Sequence, residues 1–238
     1  METKFNIGKW HGKLIIEPNN FETLIDYTSN KKHLAAYAEN RDVLDSDGEI
    51  KSILQLAHHQ REILTKTISE DIEKMAESLS RQMIIIAQTY IESMLTEFLE
   101  CFFYKNPSHA HKFISINGLE GVVHLTVILN SHDMPSLFRQ IATSAAREVM
   151  RGKFETSVRT IEKTTKVKID STLRKKLIEI CNERNNIIHE AKEPIIDTKY
   201  VKEVFDCALF LLTAISHCAV EQKIPITDPG HLVTEYTF

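Results

Sequence analysis

Apolar residues recur at helical spacing over most of the chain. The longest such stretch runs from Glu49 to Tyr104 and contains neither proline nor glycine. Its second half, MIIIAQTYIESMLTEFLECFF, is the most apolar part of the sequence. At about 100° per residue, one stripe of this half carries Met83, Ala87, Tyr90, Ile91, Met94 and Phe98. The pattern predicts one long or twice-broken helix that buries this stripe against other helices.

Further helical patterns follow in the second half of the chain, over residues 135–163, 171–190 and 197–221. The pairs Asp170–Ser171 and Asp197–Thr198 offer side-chain oxygens to the free amide groups at the start of the last two helices. Between residues 118 and 134, the segment GVVHLTVIL fits a strand or a buried helical segment, and periodicity does not separate the two at this length. The sequence predicts a mostly α fold.

The two ends of the chain have a less regular pattern. In residues 1–48, KLIIEP predicts a short strand that Pro18 ends, and NNFETLIDYTS predicts a short helix with an asparagine cap. We therefore expect a small N-terminal appendage over residues 1–48. A helical domain over residues 49–225 and a C-terminal tail over residues 226–238 complete the expected organisation.

An arginine interrupts the apolar stripe of the helix expected at 171–190. With Arg184 at the origin, the residues within about 60° of it on the helical wheel are Leu177, Ile180, Cys181, Ile187, Ile188 and Ala191. A guanidinium in that position requires a carboxylate from another helix, a subunit boundary or an anionic ligand. The available acids are Glu92 and Glu97 on the most apolar helix, of which we prefer Glu92, although sequence does not choose between them.

Charge is distributed unevenly along the chain. The 238 residues carry a net charge of -4, yet the stretch from Arg139 to Lys176 contains eleven lysines or arginines and four acids. Such a stretch is typical of a surface that faces a polyanion, and equally of a solvated helix face. Its candidate RNA-binding residues are Arg151, Lys153, Arg159 and Lys163.

Composition predicts a soluble intracellular protein of the cytoplasm. The four cysteines are spaced neither as a metal knuckle nor as a disulfide framework, so we expect reduced thiols. The N-terminus lacks the apolar core of a signal peptide, and the run CALFLLTAI is too short to cross a bilayer. No histidine pair has the spacing and the acid that a zinc site requires, and no glycine-rich phosphate loop is present.

The motif RNNIIH, from Arg184 to His189, resembles the Arg-polar-x-x-x-His motif of the HEPN superfamily. The resemblance extends over about residues 80–222, where an apolar helix with an embedded acid precedes the motif and a loop and one more apolar helix follow it. It implies a HEPN-like helical bundle that acts as a metal-independent endoribonuclease without a cofactor. In this chemistry the ribose 2′-hydroxyl attacks its own 3′-phosphate and leaves a 2′,3′-cyclic phosphate.

The residue types of the motif suit that reaction. Histidine transfers protons near neutral pH, so His189 is the candidate acid or base. Arg184 suits the charge of the phosphorane, Asn185 would orient the phosphate or His189, and Glu92 would support Arg184. One histidine per chain does not provide both acid and base, but a homodimer would bring two together.

The resemblance also implies partners. An HEPN ribonuclease of this kind would act on RNA as a toxin or an antiviral defence effector, with an antitoxin or a defence-system protein as a further partner. Position 191 is Ala191 where one class of HEPN toxins has a modified tyrosine, which puts that mode of regulation in doubt. The alternative is a catalytically silent helical module that binds RNA or protein, or dimerises, and in which Arg184 and His189 are structural.

Overall fold

The computed structural model describes residues 3–44, 48–116 and 119–228 and confirms a mostly α fold. The described residues form helices α1 (Ile7–Ser29), α2 (Lys31–Glu39), α3 (His58–Lys105), α4 (Pro107–Ala110), α5 (Leu125–Leu129), α6 (Met134–Met150), α7 (Phe154–Thr165), α8 (Ser171–His189) and α9 (Thr198–Glu221). Single 3-10 turns lie at Ile53–Gln55 and His111–Phe113.

Three short strand pairs connect the helices. β1 (Phe5–Asn6) pairs in parallel with β6 (Ile226–Thr227) and so joins the two ends of the described chain. β2 (Asp42–Leu44) pairs in antiparallel fashion with β3 (Ile50–Ser52), and β4 (Ser115–Ile116) with β5 (Leu119–Glu120). The fold is therefore held together mainly by helix packing, and each strand pair links two short segments of the chain.

Helix α3 is the axis of the fold. It is 48 residues long and continuous, which corresponds to about 72 Å. Its second half packs against α1, α6, α8 and α9, and the expected stripe is buried there except for Tyr90, which is half-buried. The observed helix begins at His58 and not at Glu49 as predicted, because the residues before His58 form β3 and a 3-10 turn that Ser52 caps.

The N-terminal region differs from the expected appendage. The segment KLIIEP lies within α1, which continues through Pro18, so the predicted strand is wrong. The buried residues of α1 recur at helical spacing and belong to the main hydrophobic core: Ile7, Trp10, Leu14 and Phe21. That burial against α3 and α9 outweighs the backbone hydrogen bond lost at the proline.

Other boundaries also shift. A break at Arg151–Lys153, with Gly152 at φ +97°, divides the predicted helix of 135–163 into α6 and α7. The ambiguous segment 118–134 contains the short helix α5, none of whose residues is buried, and Gly118 lies outside the described residues. The expected tail begins inside the fold, since β6 is paired, and its residues 229–238 lie outside the described part.

The last two helices begin where their caps predict. Asp170 accepts hydrogen bonds from the backbone amides of Thr172 (2.8 Å) and Leu173 (3.4 Å), which lowers the pKa of its carboxyl. Asp197 caps α9 through the amide of Tyr200, at 2.7 Å. Helix α9 is long and apolar enough to cross a membrane by length and composition, and half of its most apolar window is buried in the fold.

Candidate active site

The candidate site lies where α8 leaves the hydrophobic core. Leu177, Ile180 and Cys181 are buried, Arg184 and the next three residues are half-buried, and Ile188 is 42% exposed. The apolar stripe therefore continues to the surface and is not fully covered in its last turn. Arg184 sits at this transition between core and solvent.

Arg184 has an amide as its partner instead of a carboxylate. Its Nη1 donates to Asn185 Oδ1 at 2.9 Å, and Asn185 Nδ2 donates to the Cys181 sulfur at 3.9 Å. Arg184 forms no ion pair within the described ranges, and its buried Nε has no hydrogen-bond partner there. Asn185 thus orients the guanidinium without neutralising its charge.

The two acids considered from sequence have different surroundings. Glu97 accepts from Lys9 Nζ at 2.6 Å and from the Asn6 backbone amide at 3.0 Å, so it anchors the N-terminal segment. Glu92 accepts from Gln88 Nε2 at 3.0 Å. Of the two, Glu97 is therefore committed to the N-terminus, whereas Glu92 has a partner on its own helix.

Glu92 and Arg184 act on the same thiol. Burial raises the pKa of the Cys181 thiol, the charge of Glu92 raises it further, and the charge of Arg184 lowers it. Because charges act strongly only over short distances in a protein, α3 and α8 bring Glu92, Cys181, Arg184 and Asn185 into one cluster. Its raised pKa also makes Cys181 a poor nucleophile.

Sequence reasoning missed Gln88, which is fully buried on α3. Its Nε2 holds Glu92, and its Oε1 has no hydrogen-bond partner among the described residues. An unsatisfied buried acceptor beside a charged cluster is unusual. The sequence pattern that could have indicated this contact is a glutamine on the most apolar helix, one turn before Glu92.

His189 is the last residue of α8 and is exposed. Its ring forms no hydrogen bond with any described residue. Both ring nitrogens are therefore free to contact a ligand from solvent. Directly after it the chain turns sharply: Asn186 O accepts from the amides of Glu190 and Lys192, both at 3.2 Å, and Ala191 has φ +48°. A left-handed alanine is strained, so this turn fixes the end of the helix at a cost.

A second arginine, also missed from sequence, lies on α3 near this turn. Arg81 is only 15% exposed in its side chain, and its guanidinium is 4.0 Å from the carboxylate of Glu193. Glu193 follows His189 by four residues. The contact ties α3 to the loop between α8 and α9 and adds a positive charge on the side of α3 that faces the loop.

The four candidate RNA-binding residues are exposed and make no direct contact with the cluster through a hydrogen bond or an ion pair. Arg151 pairs with Glu148 at 3.5 Å and Arg159 with Glu155 at 2.6 Å, while Lys153 and Lys163 have no ion pair among the described residues. None of the four hydrogen-bonds or ion-pairs with Arg184, Asn185 or His189. The nearby Arg174 is about 22 Å from His189 along α8.

The structure thus brings together Arg184, Asn185 and Glu92, with His189 one turn further along α8. Within residues 3–44, 48–116 and 119–228, no group of three or more histidine, cysteine or acidic side chains is arranged to hold a metal ion. Comparisons of the chain with protein-family models, with curated proteins and with solved structures found no significant match.

Proposed function

We propose that this protein is an HEPN-type, metal-independent endoribonuclease whose reaction centre is formed by Arg184 and His189. The observation that carries the proposal is the state of Arg184: a half-buried guanidinium that is oriented by an amide, has no ion pair with a described carboxylate and lies five residues before an exposed histidine. A cation held in this way is prepared for an anionic ligand.

In the proposed reaction, the 2′-hydroxyl of one ribose attacks the adjacent phosphorus and displaces the 5′-oxygen of the next nucleotide. The products are a 2′,3′-cyclic phosphate and a 5′-hydroxyl. His189 takes the proton from the 2′-hydroxyl or gives one to the leaving oxygen. Arg184 donates hydrogen bonds to the non-bridging oxygens, whose charge increases in the transition state.

Asn185 and Glu92 have supporting roles in this proposal. Asn185 Oδ1 occupies one Nη1 donor and leaves the remaining outward donors of the guanidinium for phosphate. Glu92, held by Gln88, stabilises the positive charge of Arg184 through space and does not compete with the phosphate for a direct bond. Both are positioning residues.

A homodimer supplies the second histidine that the reaction needs. The last turn of α8 exposes Ile188 within the motif, so the apolar stripe is available to a second copy. A two-fold axis near this turn would place two Arg184 and two His189 side chains around one phosphate. Burial of Ile188 in such a dimer would also exclude water from the site.

The basic surface of α7 and its flanking loops would bind parts of the RNA that lie outside the reaction centre. Arg151, Lys153, Arg159 and Lys163 are exposed and suit contacts to phosphates without sequence preference. We propose RNA as the substrate and a cytoplasmic role as a toxin or antiviral effector, restrained by an antitoxin or a defence-system protein.

The test is cleavage of a mixed, end-labelled RNA pool in excess EDTA by the wild-type protein, by His189→Ala and by His58→Ala. His58 is an exposed histidine at the first residue of α3 and is the matched control. We expect the wild type and His58→Ala to leave cyclic phosphate ends and His189→Ala to lose about 10²- to 10⁴-fold in rate. Equal cleavage by all three proteins would refute the proposal.

A silent structural module is the second candidate, and the bond between Arg184 and Asn185 favours it, because a half-buried arginine can also hold a helix end in place. In that case the folded, dimeric wild type does not cut RNA. Arg184→Ala then lowers the free energy of unfolding by several kcal/mol, about 3 to 5 if its charge is balanced inside the fold.

A further inference from the structure

A cleft that shares no residue with the candidate site lies between the C-terminal turn of α1, helix α2 and the first half of α3. Its cavity volume is ≈ 770 Å³, within the range of about 300 to 1,000 Å³ that is typical of small-molecule sites. The lining is mainly apolar, with Leu24, Leu34, Ile72 and Leu79 among its residues, and contains no lysine, arginine, aspartate or glutamate. A charged group would therefore be poorly solvated inside it.

The walls face one another across the cleft. Leu34 and Tyr37 on α2 lie opposite Ile72, Met75 and Leu79 on α3, and α1 closes a third side. Large apolar side chains of the lining remain uncovered: Met75 is 70% exposed and Tyr27 61%. An apolar occupant would cover these side chains and remove their surface from water.

One end of the cleft is basic. Lys31 and Lys32, both exposed, lie in the first turn of α2 and directly precede His33, which lines the cleft and stacks on Tyr27 at 4.3 Å between ring centroids. The acids next to lining residues, Asp26 on α1, Glu39 on α2 and Asp71, Glu73 and Glu77 on α3, are exposed and outside the lining. This end therefore complements a single negative charge at the head of an apolar chain.

We propose that the cleft binds a fatty acid, with its acyl chain between α2 and α3 and its carboxylate at Lys31 and Lys32. The α3 residues of the lining span from Ile72 to Gln82, which is about 15 Å of helix. An extended acyl chain of medium length matches that distance. The proposed site shares no lining residue with the proposed nuclease site, whose α3 residues are Gln88 and Glu92.

The test uses dodecanoate below its micellar concentration as the probe, and isothermal titration calorimetry on the full chain. Ala36 lines the cleft, whereas its neighbour Ala35 is equally exposed but points elsewhere. Ala36→Trp fills the cleft, and Ala35→Trp is the matched control. We expect one dodecanoate to bind per wild-type chain, Ala35→Trp to bind as tightly, and Ala36→Trp to bind at least tenfold more weakly.

Dodecanol, which has the same chain without the charge, tests the basic end together with the double variant Lys31→Glu/Lys32→Glu. The double variant is expected to lose dodecanoate affinity at least tenfold and to bind dodecanol as the wild type does. Circular dichroism spectra and melting temperatures verify that each variant is folded. Absence of dodecanoate binding by the wild type, equal binding by Ala36→Trp, or no effect of the double variant on dodecanoate overturns the proposal.

Discussion

Helix α8 carries two arginines, ten residues apart, with opposite surroundings. Arg174 Nη2 donates to Glu162 Oε1 at 2.6 Å and to the Ile169 carbonyl at 3.3 Å. Arg184 donates to the Asn185 amide oxygen alone among the described residues. The Nε of each is buried without a hydrogen-bond partner, so the difference lies in what the Nη groups contact.

This difference separates a structural arginine from one that is available for a ligand. The charge of Arg174 is compensated inside the fold by the carboxylate that links α7 to α8. The charge of Arg184 is only oriented, by a neutral amide, at the point where α8 reaches the surface. In the proposed site a phosphate would supply the negative counter-charge that Arg184 lacks, whereas at Arg174 the same ligand would have to displace Glu162.

The largest effect is expected from Arg184→Lys. Lysine keeps the positive charge but lacks the planar fork that holds two phosphate oxygens. We expect the rate of RNA cleavage to fall about 100-fold, by analogy with the loss of one transition-state donor. Single-turnover cleavage measures this rate, with Arg174→Lys as the control for the same exchange elsewhere on α8; a rate of Arg184→Lys within threefold of wild type would contradict this role.

Ile188→Asp should separate the exposed end of α8 from a second copy. Ile188 is already partly buried in one chain, so if the dimer buries the rest, a carboxylate costs about 1 kcal/mol in each copy, about 2 kcal/mol for the pair, and the dimer is roughly 30-fold weaker. Sedimentation velocity over a concentration series measures the dissociation constant. Ile195→Asp, a change at an isoleucine that is more exposed and outside the helix, is the control and leaves it unchanged.

Activity of Ile188→Asp should follow its dimer fraction and recover at high protein concentration. An unchanged dissociation constant would place the two-fold interface elsewhere. A monomeric wild type with full cleavage activity would contradict the composite site altogether.

Ala191→Gly tests the strained turn after His189. Glycine adopts φ +48° without the clash of a Cβ, so we expect the free energy of unfolding to rise by about 0.5 to 1 kcal/mol. Urea unfolding measures it. Ala35→Gly, at an exposed position in the middle of α2, is the control and should lower the free energy of unfolding by a similar amount. A loss of stability in both variants would show that the turn is not strained in solution.

The smallest effect concerns the Cys181 thiol. A nearby positive charge stabilises the thiolate, so Arg184→Ala should move the pH midpoint of Cys181 alkylation upward. Glu92→Gln removes a negative charge and should move that midpoint downward. Mass spectrometry of the Cys181 peptide follows the reaction, and Arg174→Ala, which removes a charge that does not act on this thiol, should leave the midpoint in place.

Sequence predicted the parts of the fold that local chemistry determines. The caps at Asp170 and Asp197 and the buried stripe of α3 follow from side-chain type and spacing alone. The role of α1 was missed because Pro18 indicates a break in the local pattern. Only contacts with α3 and α9, far away in sequence, make that helix part of the core.

For the candidate site, too, the sequence predicted local features and not the long-range contacts. The position of Arg184 within an apolar stripe is visible on a helical wheel. The choice between Glu92 and Glu97 is not, since Glu97 is engaged by Lys9, 88 residues earlier in the chain. The hydrogen bond between Gln88 and Glu92 is local, but the burial of Gln88 depends on the packing of whole helices.

The most direct test of the central claim compares Arg184→Ala with Arg174→Ala in two measurements, the rate of RNA cleavage in EDTA and the free energy of unfolding. Each variant removes one positive charge from α8. We predict that Arg184→Ala loses at least about 100-fold in rate with little change in stability, whereas Arg174→Ala loses about 1 kcal/mol of stability and keeps its rate. The reverse pattern, with Arg184 required for stability and not for cleavage, would contradict the account.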